Sequence, residues 1–202
     1  PLFFFLSGVH FCGLPGKIIS EMSARSKYCV LGVPDHQGVA HVGGRLGAVS
    51  GPAAFRRMFA RFGGCTAKFA GVSEVFDAGD VAGIGDDVAT NHERAADRLC
   101  ELQPAKGVSV VVGGGHDHGY SQLLGISRAV RGRLGCINID AHLDVRKPSP
   151  LITSGSPFYL AIENGVIEPA RLIEFGIQSH CNGRTLWEYV TRKKVEVVGF
   201  DK

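Results

Sequence analysis

Two stretches of the 202-residue chain carry side chains able to do chemistry, at spacings that gather them. In VSVVVGGGHDHGY, Val108 to Tyr120, a β-branched run stops at three glycines and delivers His116 to the carboxyl end of a strand. In LGCINIDAHLDVR, Leu134 to Arg146, a second apolar run ends on Asp140, with His142 and Asp144 at alternate positions. Side chains alternate faces in an extended segment, so Asp140, His142 and Asp144 are expected on one side and Ala141 and Leu143 on the other. Two carboxylates held this close resist joint ionisation unless a cation lies between them. Oxygen donors with imidazole and no cysteine favour Mn²⁺ or a similar ion over a thiolate zinc site. Taken singly the signals are weak. A lone DxHxD is also a solvated loop, and GGGH is also a phosphate-cradling turn or a tight bend. A dinucleotide site is a poor reading of GGGHDHG, because the spacing is not GxGxxG and histidines stand where a pyrophosphate would approach.

The elements that must position these residues follow from periodicity. Between the two runs, Tyr120, Leu123 and Val130 share a helical stripe, with Asp117 as the expected N-cap. Strand, helix and strand make a right-handed βαβ unit, which predicts neighbouring strands whose ends share one sheet edge. Upstream, Tyr28–Val33 reads as a strand and Gly38–Gly51 as a glycine-rich loop. Pro52 opens a helix whose Phe55, Met58, Phe59 and Phe62 form an expected core stripe. Val75–Ala78 reads as a short strand. Asp80, Asp86 and Asp87 read as loop and helix-start residues, and Ala89–Leu102 as an amphipathic helix with His92 on its solvated face. Downstream come a strand at Leu172–Gly176, a helix at Arg184–Arg192 and a strand at Val195–Phe200. This alternation argues for an α/β chain, a three-layer α/β/α arrangement on a mainly parallel sheet.

GGGH, DAHLD and SGSPF together resemble the ureohydrolase superfamily of arginase, agmatinase and formimidoylglutamase, and are most similar to the formimidoylglutamase branch. The similarity runs from about Lys27 to the end of the chain and includes GVPDHQGVAHVGGRLGAVSGPAAFRRMF and IEFGIQSHCNGRTLWEY. It implies that His116, Asp140, His142 and Asp144 belong to a site for two Mn²⁺ ions that activate water against an amidine-like carbon. The implied reaction is cleavage of a C–N bond, foremost N-formimino-L-glutamate to L-glutamate and formamide. The alternatives are a guanidino hydrolase releasing urea and an inactive truncated fragment that binds metal. Where arginase-like relatives carry an asparagine after DAHxD and a histidine after the SG pair, this chain has Arg146 and Phe158. Arg146 suits a substrate ending in carboxylates, since guanidinium pairs with them bidentately. Ser154 is a candidate hydrogen-bond donor, and Arg45, in the glycine loop, a candidate for a substrate carboxylate or simply a surface arginine. No general acid is assigned; His118 is a candidate for proton transfer or a helix-start residue. A further SxDxDxxDP motif is absent, and Asp201 is not counted as a ligand. The α/β domain, residues 27–202, is therefore expected to be incomplete at its C-terminus.

Composition bounds the rest. With 45% hydrophobic and 20% charged residues and a formal net charge of +3, the chain is ordinary globular protein without a Lys/Arg run or aromatic ladder for nucleic acid. The six cysteines are widely separated with no CxxC pair, which suits reduced, mostly buried thiols and a cytoplasmic protein. Residues 1–26 are apolar but interrupted by glycine, proline and His10. They are expected to be a disordered or artefactual extension before Met22, not a signal peptide or membrane anchor. A small-molecule substrate and a homo-oligomer complete the expectations.

Overall fold

Each β-branched run and each amphipathic stretch becomes an element in a computed structural model that describes residues 28–61, 75–103, 107–130 and 132–200. The N-terminal extension, Phe62 and Asp201 lie outside those residues. In chain order the elements are β1 (Tyr28–Gly32), α1 (Gln37–His41), α2 (Gly51–Phe59), β2 (Val75–Asp80), α3 (Val88–Leu102), β3 (Val108–Val112) and α4 (His118–Ala129). There follow β4 (Cys136–Ile139), α5 (Pro157–Glu163), β5 (Leu172–Ile177), α6 (Arg184–Lys193) and β6 (Glu196–Gly199). Every strand pairing is parallel. The glycine loop after β1 is less irregular than expected, holding α1 and a 3₁₀ turn at Ala48–Ser50.

The strands form two three-stranded sheets, β2-β1-β3 and β4-β5-β6. β3 and β4 are thus not hydrogen-bonded neighbours, which corrects the expectation of one continuous βαβ sheet. Handedness and alternation require the two strands to point the same way, but do not say whether the crossover lands on the adjacent position. A cavity of about 440 Å³ lies between the glycine turn after β3, α4 and β4.

Two apolar cores support the sheets. Cys29, Leu31, Val111, Leu99 and Ile126 join β1 and β3 to α3 and α4. Leu143, Val145, Phe158, Leu172, Tyr189 and Val190 join the second sheet to α5 and α6, with Leu123 of α4 among them. α4 serves both cores because Leu123 and Ile126 stand one turn apart on its surface. It approaches α3 closely at Gly125, where a Cβ would lie 2.6 Å from the Ala96 carbonyl oxygen. The second sheet is inverted in polarity. Asn138 and its register partner Glu174 face inward, while Ile139 and its partner Phe175 are exposed.

α2 departs from its expected packing. Its buried residues are Pro52 and Arg56, whereas Met58 of the expected aromatic stripe is 54% exposed. Arg56 is drawn inward by Asp77 and Asp80 of β2, an attraction that hydrophobic periodicity does not register. Among the cysteines, Cys29 is buried, Cys100 and Cys136 are partly buried, and Cys181 is exposed; all four are free thiols. Among the described residues, no helix is long and apolar enough to cross a membrane.

Candidate metal centre

The turn after β3 is built from backbone only glycine adopts without strain. Gly113 and Gly114 have φ of +78° and +79°, and a Cβ on Gly113 would lie 2.5 Å from Pro52 Cδ. The chain reverses tightly over α2 and presents His116 beside the second stretch. His116 Nδ1 lies 2.6 Å from Asp144 Oδ2 and 3.5 Å from Asp140 Oδ2. Phe158 meets the imidazole edge-on, with ring centroids 6.0 Å apart.

Asp140–Asp144 is a loop, not the extended segment that alternation predicts. Asp140 Oδ1 accepts from the His142 amide at 2.8 Å and lies 3.0 Å from His142 Nδ1. Asp144 has φ +42°, a left-handed conformation uncommon outside glycine, asparagine and aspartate. Leu143 and Val145 anchor the loop in the core at 0% and 1% exposure. His116, Asp140 and Asp144 each offer a donor atom within 4.8 Å of the others. His142 falls outside this trio; its side chain is 55% exposed and its Nδ1 lies 3.0 Å from Asp140 Oδ1.

The trio fits a divalent ion by its chemistry. Two carboxylates and one imidazole form a hard-to-borderline set of the Mn²⁺ type, and the carboxylates repel each other without a positive charge between them. The imidazole of His116 stands against both carboxylates. Burial disfavours its imidazolium, but the hydrogen bond to Asp144 and the charges of Asp144, Asp140 and Asp117 outweigh this and raise its pKa.

Two expectations near His116 are corrected. His92, expected on a solvated face, is 1% exposed and places Nε2 2.8 Å from Asp117 Oδ2. Asp117 therefore makes no side-chain cap for α4; its carboxylate goes to His92 instead. His118 is wholly buried. Its Nε2 lies 2.9 Å from Asp35 Oδ2 and its Nδ1 3.0 Å from Ser121 Oγ, while the Ser121 hydroxyl donates to the His118 carbonyl. Both ring nitrogens are committed, so His118 is a structural residue and not an accessible proton donor. Burial would raise the Asp35 pKa, but His118, the Gln37 amide and Asn91 hold it down at about 2. His92, Asp117 and His118 form a second donor cluster, closed off from solvent and already hydrogen-bonded, that joins α3 to the start of α4 and, through Asp35, to the loop after β1.

The expected substrate residues are placed unevenly. Arg146 is exposed and makes no ion pair among the described residues. Its Nη1 and Asp144 Oδ1 both approach Gly155, where a Cβ would fall 2.8 Å and 3.3 Å from them, and its side chain lines a separate cavity with Lys147, Tyr159 and Tyr189. Ser154 is the neighbouring residue, and its amide donates to Gly38 O at 2.8 Å. The same loop is held by His41, whose Nδ1 lies 2.7 Å from Ile152 O. Arg45 is exposed on the glycine loop and makes no ion pair with the trio among the described residues.

Periodicity missed a polar layer beneath the ligand loop. Glu174, fully buried in β5, accepts from Asn138 Nδ2 at 2.8 Å, and Asn138 Nδ2 also lies 3.4 Å from His142 O. A glutamate inside the apolar run LIEFGI is the one signal that pointed there. Burial pushes the Glu174 pKa up to about 9; the Asn138 hydrogen bond opposes this, and the charges of Asp144 and Asp140 add to it. Glu174 is therefore neutral at pH 7. Between its ordinary value of 4.5 and about 9 the unfolded chain has lost this proton while the folded chain keeps it, so stability falls as pH rises. The slope is at most about 1.4 kcal/mol per pH unit. Glu174→Gln keeps an acceptor for Asn138 and is expected to flatten it. Urea unfolding of the metal-free chain from pH 5 to 9 checks this; equal slopes in both proteins would count against it.

A parallel α/β chain with a histidine and two aspartates converging beyond strand ends is the architecture of an α/β scaffold with a candidate metal centre. The family model of the Arginase family matches residues 26–202, and this chain belongs to that family. It is 33% identical over 196 residues to formimidoylglutamase of Staphylococcus carnosus, covering 96% of this chain and 61% of that protein. It is 36% identical over 130 residues to formimidoylglutamase of Chromobacterium violaceum, covering 64% of this chain and 40% of that protein. Among solved structures, Trypanosoma cruzi formiminoglutamase with Mn²⁺ superposes with a TM-score of 0.78 at 28% identity, covering 87% of this chain and 61% of that one. The chain thus spans less than two thirds of the length of each of these relatives, and its scaffold is the arginase fold.

Proposed function

We propose that this chain carries part of the centre of a metal-dependent hydrolase that cleaves a C–N bond in a formimino compound, N-formimino-L-glutamate foremost. The observation that carries the reading is the convergence of the trio His116, Asp140 and Asp144, with Arg146, which makes no ion pair among the described residues, approaching Asp144 at Gly155. The trio would hold Mn²⁺, with His142 beside Asp140; a pair of ions belongs to the complete enzyme. When bound, such an ion supplies Lewis acidity and eases deprotonation of water at neutral pH. Arg146 binds the distal carboxylates of the substrate and so sets the amidine-like carbon against the trio. Ser154 offers its hydroxyl to the same end, and Phe158 walls the site and narrows access of bulk water to His116. The formimidoylglutamase relatives support a glutamate-type substrate over a guanidino compound.

The test is product release by the Mn²⁺-supplemented chain. Formamide from N-formimino-L-glutamate supports the reading, and urea from arginine or agmatine supports a guanidino hydrolase instead. A second reading, metal binding without turnover, is favoured by the position of His142 outside the trio, which leaves few donors for two ions. Bound Mn²⁺ with neither product is its signature. Arg146→Ala is expected to raise KM for N-formimino-L-glutamate by roughly 10- to 100-fold, the weight of a charge-assisted hydrogen bond. Arg146→Lys recovers only part, because an ammonium lacks the fork. Steady-state kinetics with unchanged Mn²⁺ affinity checks this; an unaltered KM would remove Arg146 from the substrate.

A further inference from the structure

We infer that Asn182 is a positioning residue for the metal-ligand loop, a clamp whose carboxamide sets the turn from Asp140 to Asp144. This rests on the reading that the loop carries metal ligands. Asn182 ends the 3₁₀ turn Ser179–Cys181, just before α6, and is 8% exposed. Its Oδ1 accepts from the Leu143 amide at 2.8 Å, and its Nδ2 donates to Ala141 O and to Gln178 O, each at 2.9 Å. The orientation of the carboxamide follows from chemistry, since an amide N–H only donates and a carbonyl only accepts. Ala141 and Leu143 are the residues interleaved between Asp140, His142 and Asp144. One planar group therefore grips the backbone on both sides of His142 and fixes the spacing at which the three side chains leave the loop. The grip is stitched to the second sheet by further bonds, Asp140 N to Phe175 O at 3.1 Å and Gln178 N to Ala141 O at 3.0 Å. The left-handed Asp144 adjoins this clamped stretch, where surrounding contacts must hold a sparsely populated conformation in place.

Asn182→Leu keeps the side-chain size and removes all three hydrogen bonds. Residues that orient metal ligands typically change affinity by roughly 10- to 100-fold. Asn182→Leu is expected to weaken Mn²⁺ binding, measured by chelator competition, by at least about tenfold. Ile167→Ala, in the same core but away from the loop, serves as the control for general loss of stability and is expected to bind Mn²⁺ as the unaltered chain does. Hydrogen exchange of the metal-free proteins gives the second readout: the Leu143 amide exchanges faster in Asn182→Leu and not in Ile167→Ala. Unchanged Mn²⁺ affinity in Asn182→Leu, or an equal loss in both variants, overturns the inference. Should the unaltered chain bind no Mn²⁺, the metal reading fails by itself. The clamp is then decided by exchange at Leu143, and undiminished protection in Asn182→Leu overturns it.

Discussion

Asp144→Asn is expected to leave the fold intact and to weaken Mn²⁺ binding by roughly 100-fold or more. Asp144 is the member of the trio in closest contact with His116, at 2.6 Å, and it stands at φ +42°. Alanine there would confound two effects, loss of a donor and strain in a left-handed backbone. Asparagine tolerates that conformation nearly as well as aspartate, so the backbone cost is removed from the comparison. What is lost is the negative charge. The carboxylate that both attracts the ion and pairs with His116 becomes a neutral amide, and the site falls to one carboxylate and one imidazole. The expected loss of affinity is roughly 100-fold or more, exceeding the roughly 10- to 100-fold typical of residues that only orient ligands. Isothermal titration with Mn²⁺, alongside a circular dichroism melt, is the measurement. Native-like affinity in a folded Asp144→Asn protein would remove the metal from this loop. The His116 pKa would also fall in the variant, because its hydrogen bond to Asp144 is the largest influence raising it.

Arg56→Met is expected to destabilise the chain by about 3–5 kcal/mol, the usual consequence of stripping one partner from a buried ion pair. Arg56 is 5% exposed, and its Nε and Nη2 each meet an oxygen of Asp77 at 3.1 Å while Nη1 pairs with Asp80. Burial opposes the Arg56 charge, yet the hydrogen bonds to Asp77 and Asp80 raise its pKa. Methionine preserves much of the packing volume and removes the guanidinium that meets both oxygens of the Asp77 carboxylate, which is 6% exposed. Pairing Arg56→Met with Asp77→Asn is expected to restore part of the loss, because the buried carboxylate that gave up the guanidinium is then a neutral amide. α2 also borders the candidate centre, since Pro52 lies against Gly113 at the start of the turn that carries His116. Urea unfolding of the single and double variants tests the energetics. Equal destabilisation in both would mean that the charge pairing does not hold α2 in place.

Some elements were legible because their periodicity is strong and local. The run Val108–Val112 and the stop at three glycines gave β3 and its turn, and Pro52 gave the start of α2, since φ preferences act within a few residues. Arg184–Lys193 was legible for the same reason, as an amphipathic repeat free of glycine and proline. The buried charges were not legible. Arg56, His92, Asp117 and Glu174 each carry a polar group whose usual place is solvent, and each is inside because a partner distant in sequence meets it there. In α2 the buried position after Pro52 goes to Arg56 and not to the stripe, whose Phe55 and Phe59 are half-buried and whose Met58 is exposed.

The candidate site divides along this line. Which residues are the candidate donors was set in one dimension: His116 after the glycines, and Asp140, His142 and Asp144 at alternate positions after an apolar run. How they meet was a tertiary matter. The loop is not extended, His142 lies outside the trio, and His118 is spent on Asp35 and Ser121. The two strands bearing the site belong to separate sheets. Side-chain type and spacing act through the local backbone, and so can be read from the chain itself. Convergence depends on hydrogen bonds between segments tens of residues apart, and those partners are chosen only when the chain has packed.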